Sequence, residues 1–377
     1  MDFSFSEEQE AVQALASQIF SENVSHERLL ELERSGDWYD MALWKQLSES
    51  NLTAICVPEA QGGGGMSLVE LCLLLEEQGR EVAPVPLLPT AVLGGLPIQE
   101  FGTQAQKERW LVPIANEGAV LTGALIELGG SRAEVPRVTA TPSGKGWRLA
   151  GEKEYVPALH LASAVLVPAR TPDGVGVFIL EPSAAGVKSE RQISTHREPV
   201  SRLILDGVVV GQDALLGDAA RGADVVSWTV ERALLALSAL QLGVCQGAVR
   251  DTAKYVNERK QFGRPIGTFQ GVALRAADAF IDVEALRGLV TQAAWRMSEG
   301  LPSQAEVAAA KYWAARGGDR VTHTSQHLHG GIGADIEYPI HRYFLWARHN
   351  GTMFGGGNQQ VAEIGAYLVS DERAARG

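Results

Sequence analysis

The chain has 377 residues, of which 45% are hydrophobic and 21% charged, and its formal net charge is −12. This length predicts two or three domains, and the acidic balance argues against a nucleic-acid-binding protein, which needs a basic face. Three scattered cysteines, Cys56, Cys72 and Cys245, indicate buried thiols in a reducing compartment. No basic, apolar leader opens the sequence and no apolar run reaches about 18 residues. We therefore expect a cytoplasmic protein that does not enter a membrane.

Residues 1–117 have the pattern of a helical domain. Three residue pairs predict capping boxes ahead of apolar periodic segments, namely Ser6 with Gln9, Ser67 with Glu70, and Thr103 with Gln106. A tetraglycine loop at residues 62–65 precedes the second of these helices. We interpret this loop as a flexible connector. A phosphate-binding loop is the alternative, but the Lys-Ser or Lys-Thr pair that a P-loop requires does not follow.

Residues 118–218 have the pattern of a β domain. Short apolar or alternating runs occur at residues 120–125, 137–140, 147–150, 164–167, 175–180 and 203–210. Turn-forming residues such as Pro172, Asp173 and Gly174 separate them. This spacing predicts a small antiparallel sandwich or barrel.

Residues 219–377 return to helical periodicity. Helices are predicted over residues 219–257, 268–298 and 302–329, with a shorter one near 359–368. Four such helices predict a four-helix bundle. The expected fold class is therefore α+β, mainly α, with a β domain between two helical domains.

The segment between the first two of these C-terminal helices carries a recognisable motif. Residues 259–270 read Arg-Lys-Gln-Phe-Gly-Arg-Pro-Ile-Gly-Thr-Phe-Gln. An arginine just before a Gln-Phe-Gly turn places a bidentate cation beside exposed amides, which suits a phosphate. The string resembles the flavin-pyrophosphate motif of acyl-CoA dehydrogenases, Arg-x-x-Phe-Gly-x-x-Ile-x-x-Phe-Gln.

A second motif begins at Gln326. The sequence Gln-His-Leu-His-Gly-Gly-Ile-Gly is followed by Glu337-Tyr338-Pro339, which resembles the Gln-x-x-Gly-Gly-x-Gly and Glu-Tyr-Pro segment of the same family. Glycines allow a backbone to approach a ligand closely, and a glutamine amide both donates and accepts hydrogen bonds. The resemblance extends over essentially the whole chain and implies the acyl-CoA dehydrogenase fold.

In that family both motifs reach across a subunit interface to the FAD of a neighbouring subunit. The resemblance therefore implies cofactor-binding roles for Arg259, Gln261, Phe262, Gln326, Gly330 and Gly331. The simpler interpretation of each residue alone is a helix end with a surface cation or a glycine cap.

The carboxylate that removes the substrate's α-proton in this family has no counterpart after the second motif. Most members carry it in a Tyr/Phe-Glu-Gly-Thr context, where this chain has residues 352–358, Thr-Met-Phe-Gly-Gly-Gly-Asn. No Asp or Glu occurs between Glu337 and Glu363. Some relatives place the base on the long helix before the arginine motif, where Glu231 is the candidate. Counting back from Arg259 puts that position at Ala233, so Glu231 lies about 200° away around the helix and is more simply half of an ion pair with Arg232.

The β domain also departs from the family pattern. The Thr-Glu-Pro-x-Ala-Gly-Ser-Asp segment that meets flavin and substrate becomes residues 124–131, in which only Glu127 and Ser131 match. The Gly-x-Lys-x-Trp-Ile-Thr-Asn run becomes residues 151–158, with Pro157 in place of the threonine. Proline removes a side-chain donor and a backbone N–H.

Three histidines cluster near the second motif. His323 and His327 are four residues apart, which is metal-ligand spacing on a helix. No carboxylate or cysteine joins them in sequence, so we interpret these residues and His329 as capping or interface groups and expect no metal site.

Together, these features predict a subunit that completes a partner's FAD site and lacks its own catalytic base. The resemblance is greatest to the non-catalytic subunit of actinobacterial steroid side-chain acyl-CoA dehydrogenases. It implies an α2β2 assembly with a catalytically complete subunit, an acyl-CoA substrate and an electron-transfer flavoprotein as acceptor. Two alternatives stay open, a self-sufficient homotetramer that uses Glu231 and a cofactor-free scaffold.

Overall fold

A computed structural model describes the backbone of residues 5–130 and 132–376, and the side chains of those residues up to 369. The described residues form two compact units. The first contains the chain up to Ser35, Ser67–Ala83, and everything from Leu234 onward, and the second contains Gly36–Met66 and Pro84–Ala233. The predicted fold class is confirmed, with N-terminal helices, a central sheet and C-terminal helices.

The helices follow the predicted order. In chain order they are α1 (Glu7–Asn23), α2 (His26–Ser35), α3 (Met41–Glu49), α4 (Leu68–Arg80), α5 (Leu96–Phe101), α6 (Gln104–Glu117), α7 (Gly222–Glu258), α8 (Gln270–Ser298), α9 (Gln304–His329), α10 (Ile340–Thr352) and α11 (Gly357–Arg376). The capping boxes at Ser6, Ser67 and Thr103 are all present. A π-helical segment, Leu88–Gly95, leads directly into α5. Helix α10 is an addition to the four C-terminal helices that the sequence predicts.

Glycines allow α4 and α7 to touch backbone to backbone inside the first unit. A Cβ atom added at Gly243 would lie 1.8 Å from the carbonyl oxygen of Glu76, and one added at Gly79 would lie 2.0 Å from that of Leu240. Real Cβ atoms never approach so closely, so only glycine fits at either position. This crossing fixes α7, whose C-terminal end leads into the first motif.

The sheet belongs to the second unit and is mixed. Its strands are β1 (Val120–Gly123), β2 (Thr139–Ser143), β3 (Gly146–Pro157), β4 (Ala162–Arg170), β5 (Val175–Leu180), β6 (Val187–Ile193), β7 (Pro199–Gly211) and β8 (Leu215–Leu216), and a separate hairpin pairs β9 (Lys260–Gln261) with β10 (Arg264–Pro265). The spatial order is β6-β7-β3-β2-β4-β5-β8, with β1 also paired to β4. Most ladders are antiparallel, as predicted, but β1 and β2 each pair with β4 in parallel.

Strands β4 and β5 are buried on both faces, which explains their continuous apolar sequence. Val167 and Phe178 belong to the cluster on one face. Leu166 and Ile179 belong to the other, which also contains Ile98 of α5 and residues of α6. The sheet is thereby anchored to these two helices.

Helix α7 is apolar enough over one window, with a mean hydropathy of 1.3, to match a membrane span by composition. However, 83% of that window is buried inside the structure. This burial is typical of a core helix. The three cysteines are buried thiols outside any disulfide, as predicted.

Candidate cofactor site

The first motif folds as a tight hairpin at the end of α7. The Arg259 amide donates to the Tyr255 carbonyl at 2.8 Å, and the Arg259 carbonyl accepts from the Ile266 amide at 2.8 Å. Strands β9 and β10 pair antiparallel across a two-residue turn. Phe262 and Gly263 have φ angles of 52° and 81°, as a type I′ turn requires, and the glycine makes this turn accessible.

The hairpin leaves its candidate cofactor-binding side chains exposed to solvent. Arg259 and Gln261 are exposed, and Phe262 is 92% exposed. Within the described part of the chain, no hydrogen bond or ion pair engages the Arg259 guanidinium. Phe269 supports the hairpin, because its ring meets that of Phe262 edge-on at 6.1 Å and lies 4.3 Å from the Arg264 guanidinium carbon. An available cation and a bare aromatic ring on a supported hairpin suit an anionic ligand with an apolar part.

The second motif forms a glycine turn where α9 ends. Gly330 has φ 68° and ψ −143°, a conformation that residues with a Cβ atom rarely adopt. A Cβ atom added at Gly330 or Gly331 would meet nothing within 4 Å, and both residues are exposed. The Gln326 side-chain amide donates to the Gly333 carbonyl at 2.9 Å, so its Nε2 braces the turn. The open side of the turn leaves room for a ligand to approach the backbone.

The structure brings the hairpin and the glycine turn together through Tyr255, which no sequence motif marks, and His329, which the sequence predicts to be a capping or interface group. The Tyr255 ring stacks on the His329 ring with centroids 4.3 Å apart and planes at 22°. The Tyr255 hydroxyl also donates to the His329 carbonyl at 3.3 Å. Because the Tyr255 carbonyl bonds the Arg259 amide and His329 directly precedes Gly330, this stacked pair links residues 259–263 to residues 330–331. We call the exposed groups of these two segments the hairpin–turn edge.

The histidines near the turn have different environments. His323 and His327 are exposed on α9, whereas His329 is buried. Burial lowers the pKa of His329, and its Nδ1 lies 2.8 Å from the Ser325 carbonyl. Because a carbonyl oxygen can only accept, Nδ1 carries the proton of the neutral ring and donates to Ser325. His329 therefore acts as a packing residue beneath the turn.

The loop at the family's base position contains no carboxylate in its sequence. Helix α10 ends at Thr352 and α11 begins at Gly357. Between them Phe354 has a φ of 53° and Gly355 a φ of 103°. The Arg316 guanidinium donates to the Asn358 side-chain oxygen at 2.6 Å. Residues 352–358 thus offer no group that can take a proton from a substrate carbon.

Glu231 lies in the second unit as part of an ion pair. Its carboxylate is 4.0 Å from the Arg232 guanidinium, and both side chains are about one-fifth exposed. The Arg232 guanidinium lies 3.5 Å above the Trp228 ring, and burial lowers its pKa to about 10. Helix α7 is continuous from Gly222 to Glu258, so the Glu231 side chain points in a different direction around the helix from that of Ala233. Ala233 is fully buried.

Glu127 is engaged inside the β domain. Its carboxylate lies 2.6 Å from the Lys153 ammonium and accepts hydrogen bonds from the Arg137 and Val138 amides at 2.6 and 3.1 Å. Burial opposes ionisation of Glu127, but the Lys153 charge and these bonds outweigh it and lower its pKa. The match to the family at Glu127 therefore coincides with a structural ion pair. Ser131, the other matching residue, lies outside the described residues.

A buried polar network surrounds the segment that departs from the family run. Tyr155 has a φ of 56° and its phenol is hydrogen-bonded to the Ser194 side chain. Ser194 also lies 2.8 Å from Nδ1 of His196, whose Nε2 is 3.2 Å from Glu198. The Tyr39 hydroxyl donates to Glu198 at 2.5 Å.

Burial lowers the pKa of His196 to about 3, so the ring is neutral, and burial raises the pKa of Tyr155. The Ser-x-His-x-Glu spacing of residues 194–198 is the sequence signal for this network. The Pro157 carbonyl is also occupied, since it accepts from the Thr122 hydroxyl at 2.7 Å. These polar groups are thus satisfied within the chain.

The tetraglycine loop is closely packed, which differs from the predicted flexible connector. The amides of Gly62, Gly63, Gly64 and Gly65 donate to carbonyls of residues 54–59. A Cβ atom added at Gly63 would lie 2.1 Å from the Val57 carbonyl oxygen. Because these four amides are already bonded, they are not available to a phosphate.

Comparisons with known proteins give consistent matches. Residues 6–118 match the family model described as acyl-CoA dehydrogenase, N-terminal domain, and residues 220–368 match that of the C-terminal domain. Acyl-CoA dehydrogenase FadE27 of Mycobacterium tuberculosis is 36% identical over 98% of this chain and 99% of that protein. A structure described as a variant of the Tcur3481-Tcur3483 steroid ACAD is 43% identical, with a TM-score of 0.90 over 98% of this chain and 99% of the other. The ChsE4-ChsE5 complex from Mycobacterium tuberculosis is 36% identical, with a TM-score of 0.92 over the same shares.

Proposed function

Because this chain belongs to the acyl-CoA dehydrogenase family, we propose that it is the subunit of a heteromer that completes its partner's FAD site. In this proposal the chain lends Arg259, Gln261, Phe262, Gln326 and the Gly330-Gly331 turn to the partner and supplies no catalytic base. The complex would catalyse α,β-dehydrogenation of a CoA thioester, in which the partner's base would remove the α-proton and bound FAD would supply the acceptor for the β-hydride.

The observation that carries the proposal is the contrast between the hairpin–turn edge and the base loop. The edge presents a cation without a partner among the described residues, an exposed ring and two open glycines. These groups fit a dinucleotide, since a guanidinium pairs with phosphate oxygens and open glycines admit a ligand to the backbone. At the loop between α10 and α11, Phe354 and its glycine neighbours cannot accept a proton.

The β domain supports the same division of roles. Glu127 is neutralised by Lys153, and Tyr155 is held by the Ser194–His196–Glu198 network. These two side chains must break those bonds before they can bind a ligand, whereas Gln326 is bonded to Gly333 only through Nε2 and, among the described residues, keeps its Oε1 for a ligand. We propose that this chain's own flavin site is lost, while the contacts it lends are kept.

The partner is a catalytically complete acyl-CoA dehydrogenase subunit, which supplies the base and most of the substrate pocket. Two of the similar structures support this assignment, because each is described by a pair of protein names, one as a complex and the other as a steroid ACAD. We propose an α2β2 assembly in the cytoplasm that acts on a steroid side-chain CoA thioester. An electron-transfer flavoprotein would be the electron acceptor of this assembly.

The competing hypothesis is a self-sufficient homotetramer that uses Glu231 as its base. It requires the Glu231 carboxylate to leave Arg232 and act from the far side of a continuous helix. The third hypothesis is a scaffold that binds no cofactor with any partner. It leaves the exposed Arg259 and the open glycine turn without a role.

The test is flavin absorbance of the purified chain, first alone and then co-expressed with related dehydrogenase subunits. The proposal predicts a colourless protein alone and a yellow mixed assembly. A yellow protein from this chain alone would support the homotetramer. Colourless mixtures with every subunit that binds the chain would support the scaffold.

A further inference from the structure

We infer that His26, held by Arg342 and Glu33, positions the Gly330-Gly331 turn for contact with the cofactor. The inference rests on the proposed function and adds three residues of the first unit to its machinery. His26 and Glu33 belong to α2, and Arg342 belongs to α10. All three lie outside the hairpin–turn edge. They act on the glycine turn through the backbone carbonyl of Glu337, seven residues after Gly330.

The foundation of this cluster is a nearly buried ion pair. Arg342 Nε donates to Glu33 Oε1 at 2.7 Å and Arg342 Nη2 donates to Glu33 Oε2 at 3.0 Å. Their side chains are 4% and 10% exposed. A two-pronged guanidinium–carboxylate pair fixes orientation as well as distance. The third arm of the guanidinium, Nη1, is therefore aimed in a defined direction.

That third arm fixes the tautomer of His26. Arg342 Nη1 lies 2.9 Å from His26 Nδ1. A guanidinium has no acceptor, so Nδ1 accepts and the ring proton sits on Nε2. His26 Nε2 then donates to the Glu337 carbonyl at 2.7 Å. The hydrogen bonds run in one direction, from Arg342 through His26 to the backbone of residue 337.

Residue 337 is the far end of the segment that begins with the glycine turn. At the near end, Gln326 Nε2 donates to the Gly333 carbonyl at 2.9 Å. Between these anchors Gly330, Gly331 and Ile332 are exposed. A glycine-rich segment has many accessible conformations. Within this one the Asp335 amide donates to the Ile332 carbonyl at 3.1 Å, and the bonds from Gln326 and His26 tie its two ends to α9 and α2. His26 supplies the second anchor.

Paired variants separate positioning from loss of bulk. His26→Ala removes both hydrogen bonds. His26→Gln keeps them, because an amide oxygen accepts from Arg342 while the amide nitrogen donates to the Glu337 carbonyl. Glu31→Gln is the control, since it removes only the exposed Arg28–Glu31 ion pair of the same helix.

Two measurements are made on each variant. Hydrogen exchange of the amides at 330–337 is followed in the chain alone, and the FAD dissociation constant is measured in the mixed assembly. We expect His26→Ala to accelerate exchange in this segment and to raise the dissociation constant about five- to tenfold, the effect of roughly one hydrogen bond. His26→Gln and Glu31→Gln should match the wild type in both.

Two outcomes overturn the inference in different ways. Unchanged exchange in His26→Ala would show that the segment does not depend on this anchor. Faster exchange with unchanged FAD affinity would refute the positioning role while leaving the proposed function standing, provided that Arg259→Ala weakens FAD binding. If neither His26→Ala nor Arg259→Ala alters FAD affinity, the proposed function fails and the positioning role fails with it.

Discussion

Replacing Arg259 by alanine should weaken FAD binding by the mixed assembly without destabilising this chain. The guanidinium is exposed and has no partner among the described residues, so its removal costs the fold almost nothing. A charge-assisted bond to a phosphate contributes about 1.5–3 kcal/mol. The FAD dissociation constant should therefore rise roughly 10- to 150-fold.

The matched control is Lys260→Ala, which removes a neighbouring exposed cation from the same hairpin. FAD affinity is measured by fluorescence titration of the apo assembly, and the urea midpoint of the chain alone reports its stability. We expect Lys260→Ala to bind FAD within about twofold of the wild type, because a charge without a defined partner acts only at long range. If both variants lose affinity equally, or if neither does, the specific phosphate contact of Arg259 is refuted.

Three further predictions follow from particular side chains. Gly331→Ala should weaken FAD binding by the assembly but leave the stability of the chain unchanged, because the added Cβ atom meets nothing within 4 Å. Gly330→Ala should weaken FAD binding and also destabilise the chain by about 1 kcal/mol, because Gly330 has a positive φ. Urea melts and FAD titrations distinguish the two variants. Glu231→Gln should leave steady-state turnover of the assembly nearly intact. A loss of turnover of about a hundredfold would instead identify Glu231 as the catalytic base. Burial lowers the pKa of Lys311 to about 7, so the unfolded chain holds a proton that the folded chain lacks between about pH 7 and 10.5. Stability should therefore rise over that interval by at most about 1.4 kcal/mol per pH unit, and Lys311→Met should abolish the rise in urea melts at pH 7 and 9.

The order of helical and β segments was accessible from the sequence because local signals mark it. Capping boxes at Ser6, Ser67 and Thr103 and the turn residues of the β domain act over a few positions. Helix α10 was not among the predicted helices, although Ile340, Tyr343 and Ala347 have helical spacing and are buried. Its aromatic residues and late glycine weaken the helix signal.

Contacts between distant residues were not accessible in the same way. The parallel pairing of β1 with β4 joins strands separated by a long connection, and turn residues between short runs favour antiparallel hairpins instead. The packed tetraglycine loop depends on Val57, whose carbonyl leaves space only for glycine at position 63. Local composition cannot reveal that neighbour.

The candidate site shows the same limit. The two motifs could be found from residue identity, but the stacking of Tyr255 on His329 that brings them together depends on the fold. Glu127 matches the family pattern in sequence, while its carboxylate is bound to Lys153 in the structure. A residue's identity indicates what it can bind, and its neighbours determine whether it is free to do so.

Native mass spectrometry of the co-expressed assembly, with bound FAD counted, tests the central claim most directly. We expect equal numbers of the two subunits and one FAD for each pair, with no FAD on this chain when it is purified alone. One FAD for every subunit, or a homotetramer of this chain that retains FAD, would contradict it.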